Sequence, residues 1–167
     1  MNVAGASACS ACAAGSFSSD AGASTCTGCA AGTFGTVPGA NSSATCQPCG
    51  AGNVSSAGQS FCSPCVVGMF PGSPGLSVCS FCSLGTYGNI TGASSCHKCT
   101  PGTFVGSPGE LQCSSCPLGT YGTRSGQSTC IACSAGMFGT ISGNVISRRK
   151  LALPTDLHAM LRSAHES

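Results

Sequence analysis

Residues 79–121 read CSFCSLGTYGNITGASSCHKCTPGTFVGSPGELQCSSCPLGTY, in which the pattern Cys-x-x-Cys-x-x-Gly-Thr-aromatic occurs three times, after Cys79, Cys96 and Cys113. Working outward, the same pairs stand at Cys9/Cys12, Cys26/Cys29, Cys46/Cys49, Cys62/Cys65 and Cys130/Cys133, so that all 16 cysteines fall into CxxC pairs. The first cysteines of successive pairs are 17, 20, 16, 17, 17, 17 and 17 residues apart. Such a period marks a tandem array. A block of this size cannot bury a core of its own, and a regular cysteine framework is the usual substitute.

Each second cysteine is followed, after two mostly small residues, by a glycine: Gly15, Gly32, Gly52, Gly68, Gly85, Gly102, Gly119 and Gly136. A glycine fixed at one place in each block points to a positive φ or a close chain approach. Two positions further on stand Phe17, Phe34, Val54, Phe70, Tyr87, Phe104, Tyr121 and Phe138, expected to cover the neighbouring disulfide. The links to the next pair alternate in kind: some close on Gly, then Ala or Gln, then Ser, and others carry Pro-Gly at Pro38, Pro74 and Pro108. The alternation suggests a double block of about 34 residues as the true unit. It divides the chain into a lead-in at 1–8, double blocks at 9–45, 46–78, 79–112 and 113–146, the last incomplete, and a tail at 147–167. Turn residues crowd the links and leave runs too short for helices. The expected fold is small, disulfide-rich and mainly β: an elongated array of short hairpin-like modules with little regular secondary structure, each touching only its neighbours.

Composition agrees with this. Leu, Ile, Val and Phe number only 27 of 167 residues, and net charge is +2. Low apolar content, near-neutral charge and abundant cysteine together indicate a disulfide scaffold. Residues 1–147 hold Lys98, Arg124, Asp20 and Glu110 as their only charged side chains, too few cations to neutralise a run of phosphates, so nucleic acid is excluded as a partner. No run of apolar residues is long enough to span a membrane, and the first residues lack the basic and apolar regions of a signal peptide. Because dense paired cysteines belong to an oxidising compartment, the chain is expected to be a piece of a longer secreted or membrane-anchored protein, extracellular or at the cell surface.

Repeated CxxC also fits tetrathiolate zinc sites. Such sites carry excess negative charge that nearby cations offset, and the array offers only Lys98 and Arg124, so no metal and no other cofactor is expected. His97, inside Cys96/Cys99, reads as a surface residue, since the other pairs lack histidine. Disulfides are therefore the reading. A crossed pattern uses every cysteine and respects the double block: Cys9–Cys26, Cys12–Cys29, Cys46–Cys62, Cys49–Cys65, Cys79–Cys96, Cys82–Cys99, Cys113–Cys130 and Cys116–Cys133. The rival is a ladder joining the second cysteine of each pair to the first of the next, which leaves Cys9 and Cys133 unpaired.

CxxCxxGx[FY] followed by a Ser/Gly/Thr-rich link and another CxxC resembles the ephrin type A/B receptor-like cysteine-rich repeats, relatives of growth-factor-receptor cysteine-rich and EGF-like modules, over about residues 9–146. The resemblance implies an extracellular, disulfide-bonded, largely β array of the sort used as a stalk or spacer. It implies neither kinase activity, for which no motif is present, nor ephrin binding.

Asn41, Asn53 and Asn89 lie in NSS, NVS and NIT, three N-glycosylation sequons. The tail is expected to be disordered or a short helix, since Leu157, Met160, Leu161 and Ala164 stand at helical spacing after Pro154, and it carries Arg148/Arg149, a dibasic processing motif. No catalytic constellation is present: Asp20 and Glu110 belong to separate blocks, and His97 has no nucleophile beside it except framework cysteines. A non-enzymatic spacer is the leading reading. A ligand-recognition or adhesion module with an unidentified protein or glycan partner is the alternative, and an intracellular zinc array the third.

Overall fold

The computed structural model describes residues 8–139. The tail, read as disordered or a short helix, and its dibasic motif lie outside the described residues. Seven two-stranded antiparallel hairpins follow one another along the chain: β1 (Ser16–Phe17) with β2 (Thr27–Gly28), β3 (Thr33–Phe34) with β4 (Gln47–Pro48), β5 (Asn53–Val54) with β6 (Ser63–Pro64), and β7 (Met69–Phe70) with β8 (Ser80–Phe81). They continue as β9 (Thr86–Tyr87) with β10 (His97–Lys98), β11 (Thr103–Phe104) with β12 (Ser114–Ser115), and β13 (Thr120–Tyr121) with β14 (Ile131–Ala132). The chain is thus mainly β and built of small disulfide-rich modules in tandem.

Each hairpin begins with a turn that the repeat spells out. In Ser83-Leu84-Gly85-Thr86 the amide of Thr86 donates to the carbonyl of Ser83 at 3.0 Å, and its hydroxyl donates to the same oxygen at 2.6 Å. Gly85 has φ +76°, the left-handed value that the third position of a type II turn demands. Thr33, Thr103 and Thr120 repeat both bonds, as does Ser16. The strand that follows is only two residues long, and its aromatic is half-buried except at Phe138, which is exposed.

From Cys26/Cys29 to Cys130/Cys133, the two central residues of each CxxC form the second strand of a hairpin, and this decides the pairing. Seven disulfides form a ladder: Cys12–Cys26, Cys29–Cys46, Cys49–Cys62, Cys65–Cys79, Cys82–Cys96, Cys99–Cys113 and Cys116–Cys130. The expected crossed pairs Cys9–Cys26, Cys12–Cys29, Cys46–Cys62, Cys49–Cys65, Cys79–Cys96, Cys82–Cys99, Cys113–Cys130 and Cys116–Cys133 are not those bonded. On an extended segment residues three apart face opposite ways. The first cysteine of a CxxC therefore turns back to close its own hairpin, and the second turns forward to open the next. Cα–Cα distances of 5.6–5.8 Å lie in the usual disulfide range. Cys29–Cys46 closes a loop three residues longer than the commonest one, and the 3-10 turn Ser43–Thr45, capped by the Ser42 hydroxyl, takes up the excess.

The core is a column of sulfur. Cys49, Cys82, Cys99 and Cys116 are fully buried, with Cys29 and Cys65 at 1% exposure. Around it the packing is backbone on backbone. The amide of Gly85 donates to Val105, one hairpin on, and a Cβ at Gly85 would overlap the carbonyl oxygen of Gly126, two hairpins on. The same next-but-one contact joins Gly15 with Gly58, Gly32 with Gly75, Gly52 with Gly92 and Gly68 with Gly109. Contacts thus extend further than the nearest neighbours expected. The partner glycines come from both kinds of link, Gly-Ala/Gln-Ser and Pro-Gly alike, and all have positive φ. Two sequence solutions serve one structural position, so the alternation carries no information about the bridges.

Candidate functional site

The three sequon asparagines lie in different settings. Asn41 and Asn89 are exposed in the loops of the second and fifth hairpins. Asn53 begins β5, is half-buried, and donates from Nδ2 to the carbonyl of Ala51 at 3.1 Å. Its sequon serine, Ser55, is 5% exposed and donates its hydroxyl to the carbonyl of Thr33 in the preceding hairpin at 2.8 Å. That bond accounts for the serine by packing alone.

Charged and aromatic groups are dispersed along the array. His97 pairs with Tyr87 across the fifth hairpin, their rings 5.6 Å apart and inclined at 40°, and it faces solvent as expected. The stem of Lys98 lies against Gly126, with carbons 3.6–3.7 Å from where a Cβ would stand. Among the described residues no three His, Cys, Asp or Glu side chains cluster in a way that could hold a metal. Fourteen cysteines are committed to disulfides and so are not thiolate ligands. One depression, about 550 Å³, is an open saddle between the fifth and sixth hairpins, bordered by Tyr87, Asn89, Lys98, Leu111 and Gln112. Lys98 is the single charged group that borders it.

The chemically distinctive groups are at the two ends of the ladder. Cys9 is exposed and Cys133 half-buried, and both are free thiols. The second depression, about 420 Å³, surrounds Cys9 together with Ala11, Ser18, Asp20, Gly39 and Asn41. Only the connectivity shows that these two thiols stand apart, since in sequence they look like the other fourteen.

Among the described residues no helix is long and apolar enough to cross a membrane. No curated protein matches the chain. A family model described as tyrosine-protein kinase ephrin type A/B receptor-like matches residues 2–46 and 102–146, just over half of the 167 residues. The unmatched stretch between carries the same hairpins, turns and bridges, so the repeat is continuous through it. Repeats of this family with every rung oxidised form an extracellular type of module. By its matched segments and its disulfide ladder, the chain belongs to the tyrosine-protein kinase ephrin type A/B receptor-like family.

Proposed function

We propose that the chain is a non-enzymatic structural spacer, a stalk that holds other parts of a secreted or cell-surface protein apart, with Asn41 and Asn89 as its glycan acceptors. The observation that carries this reading is the uniformity of the backbone contacts. Gly15, Gly32, Gly52, Gly68 and Gly85 repeat the same glycine-to-carbonyl packing, and Gly39, Gly58, Gly75, Gly92, Gly109 and Gly126 each donate an amide to the second cysteine of a CxxC, whatever side chains decorate the surface. A scaffold of this kind sets length through repeat number. A recognition surface would instead concentrate aromatic and arginine side chains in a few blocks, whereas an aromatic or valine recurs at one fixed place in each repeat, Phe61 and Phe81 are the additional aromatics, and Arg124 is the one arginine of the array.

Small-angle scattering tests the spacer. The radius of gyration is expected to lie well above the roughly 15 Å of a compact chain of this length. Excising residues 83–116 leaves Cys82 to bond Cys130, and it should shorten the particle's maximum dimension by two repeats. A compact radius, or a maximum dimension unchanged by the excision, would count against a stalk.

A further inference from the structure

Neighbouring hairpins are tied by backbone bonds of three fixed kinds. Between the fifth and sixth, the amides of Gly85, Gly88 and Gly109 donate to the carbonyls of Val105, Glu110 and Cys82 at 2.9, 3.1 and 2.9 Å. Between the sixth and seventh the same three bonds are Gly102 to Gly122, Val105 to Gln127 and Gly126 to Cys99. The first and second hairpins are joined by Gly15 to Gly35, Ser18 to Ala40 and Gly39 to Cys12, and the second and third by Gly32 to Ser55, Gly35 to Gln59 and Gly58 to Cys29. The fourth-to-fifth step has two of the three, Gly68 to Gly88 and Gly92 to Cys65. The third-to-fourth step has only one, Gly75 to Cys49 at 3.0 Å.

Pro71 accounts for the difference. It is fully buried in the place that Gly88 and Val105 hold in later hairpins, and without an N–H it cannot donate to Ala93 as they donate to Glu110 and Gln127. Its carbonyl is also taken. The amide of Ser73 donates to it at 2.7 Å across Gly72, whose φ of +70° closes a γ-turn. The buried Gly52, whose amide would reach that carbonyl by the rule of the other repeats, makes no such bond. Neither does the amide of Ser55 reach Leu76, and its hydroxyl points back to Thr33 in the second hairpin. The sixth hairpin supplies an internal control. Residues 70–75 read Phe-Pro-Gly-Ser-Pro-Gly and residues 104–109 read Phe-Val-Gly-Ser-Pro-Gly, so that one residue separates them. With Val105 in that place Gly106 does not take positive φ, no γ-turn forms, and all three bonds to the fifth hairpin are made.

We propose that the third-to-fourth step is a built-in hinge, at which the first three hairpins and the four that follow swing as two stiff arms. Ser63 and Pro64 tether the arms, lying between the bridges Cys49–Cys62 and Cys65–Cys79, so the step opens without parting the chain. A swing gives up the bond from Gly75 to Cys49 and the packing of Gly32 on Gly75 and of Gly52 on Gly92. Two fewer bonds of ordinary net strength make opening about 30-fold more populated here than at a step that has all three. Proline in place of valine thus sets where the array bends. The hinge concerns one joint and stands whether or not the array serves as a spacer.

The test is native-state amide exchange together with residual dipolar couplings, measured by NMR on the full oxidised chain, on Pro71→Val and on Val105→Pro. Gly75 is expected to exchange about 30-fold faster than Gly109 and Gly126, which make the same bond to a cysteine carbonyl at steps with all three bonds. The couplings of the two arms should require two alignment frames. Pro71→Val should slow Gly75 to the rate of Gly109 and bring both arms into one frame. Val105→Pro should do the reverse, speeding Gly109 and placing a second joint between the fifth and sixth hairpins. Equal exchange of Gly75, Gly109 and Gly126 in the unsubstituted chain, or a single alignment frame for it, would overturn the proposal. So would fast exchange of Gly75 persisting in Pro71→Val, or an unchanged Gly109 in Val105→Pro.

Discussion

Gly85→Ala is expected to destabilise the array by about 2–5 kcal/mol, the sum of placing a Cβ in left-handed backbone and of forcing apart two packed chains. Gly119→Ala supplies the control. Gly119 has nearly the same φ, +77° against +76°, but meets nothing within 4 Å among the described residues. Its substitution should therefore cost only the conformational part, about 1–2 kcal/mol. Denaturant unfolding of the two variants reads the difference directly, and equal losses would mean that the Gly85–Gly126 contact does not contribute. Amide exchange adds the location. The amides of Cys99 and Gly126, which donate to Gly85 and Cys99, should lose protection first in the Gly85 variant.

Removing one rung of the ladder should have an effect of similar size and a wider reach. Cys82→Ala with Cys96→Ala opens a bridge of sequence separation 14 whose first sulfur is fully buried. The chain-entropy account puts the loss near 3 kcal/mol for a loop of about this length. The fifth hairpin bonds to the fourth through Gly68–Gly88 and to the sixth through Gly85–Val105, and glycine contacts link it to the third and seventh. Proteolytic protection should fall across those hairpins while the first, around Cys12–Cys26, keeps its own. Cooperative loss of the whole array would show that coupling extends beyond two steps.

Much of this architecture was legible in the residues. The period of 17 announced the array, and the glycine three residues after each second cysteine announced its turn, since no other residue takes the third position of that turn without strain. The half-burial of Phe17, Phe34 and Tyr87 also agrees with their recurrence at one fixed place in each block. The bridges did not follow. Link length and link composition alternate, and the alternation suggested double blocks, yet Gly75 from a Pro-Gly link and Gly92 from a Gly-Ala-Ser link occupy one structural position. The informative signal was the spacing inside CxxC itself. Two residues of strand between two cysteines oblige them to face opposite ways. Ser55 shows the complementary difficulty: its sequon reading is local, while the bond to Thr33 that explains it spans 22 residues.

The ladder is the claim on which the rest depends, and proteolysis without reduction tests it at the central repeats. Cleavage after Phe81 and Lys98 cuts inside the CxxC pairs Cys79/Cys82 and Cys96/Cys99, and cleavage after Tyr87 separates Cys82 from Cys96. Mass mapping of these fragments should recover the peptide bearing Cys82 linked to the peptide bearing Cys96, with Cys79 linked to Cys65. A dominant link between Cys79 and Cys96, or between Cys82 and Cys99, would contradict the ladder and the sulfur column together.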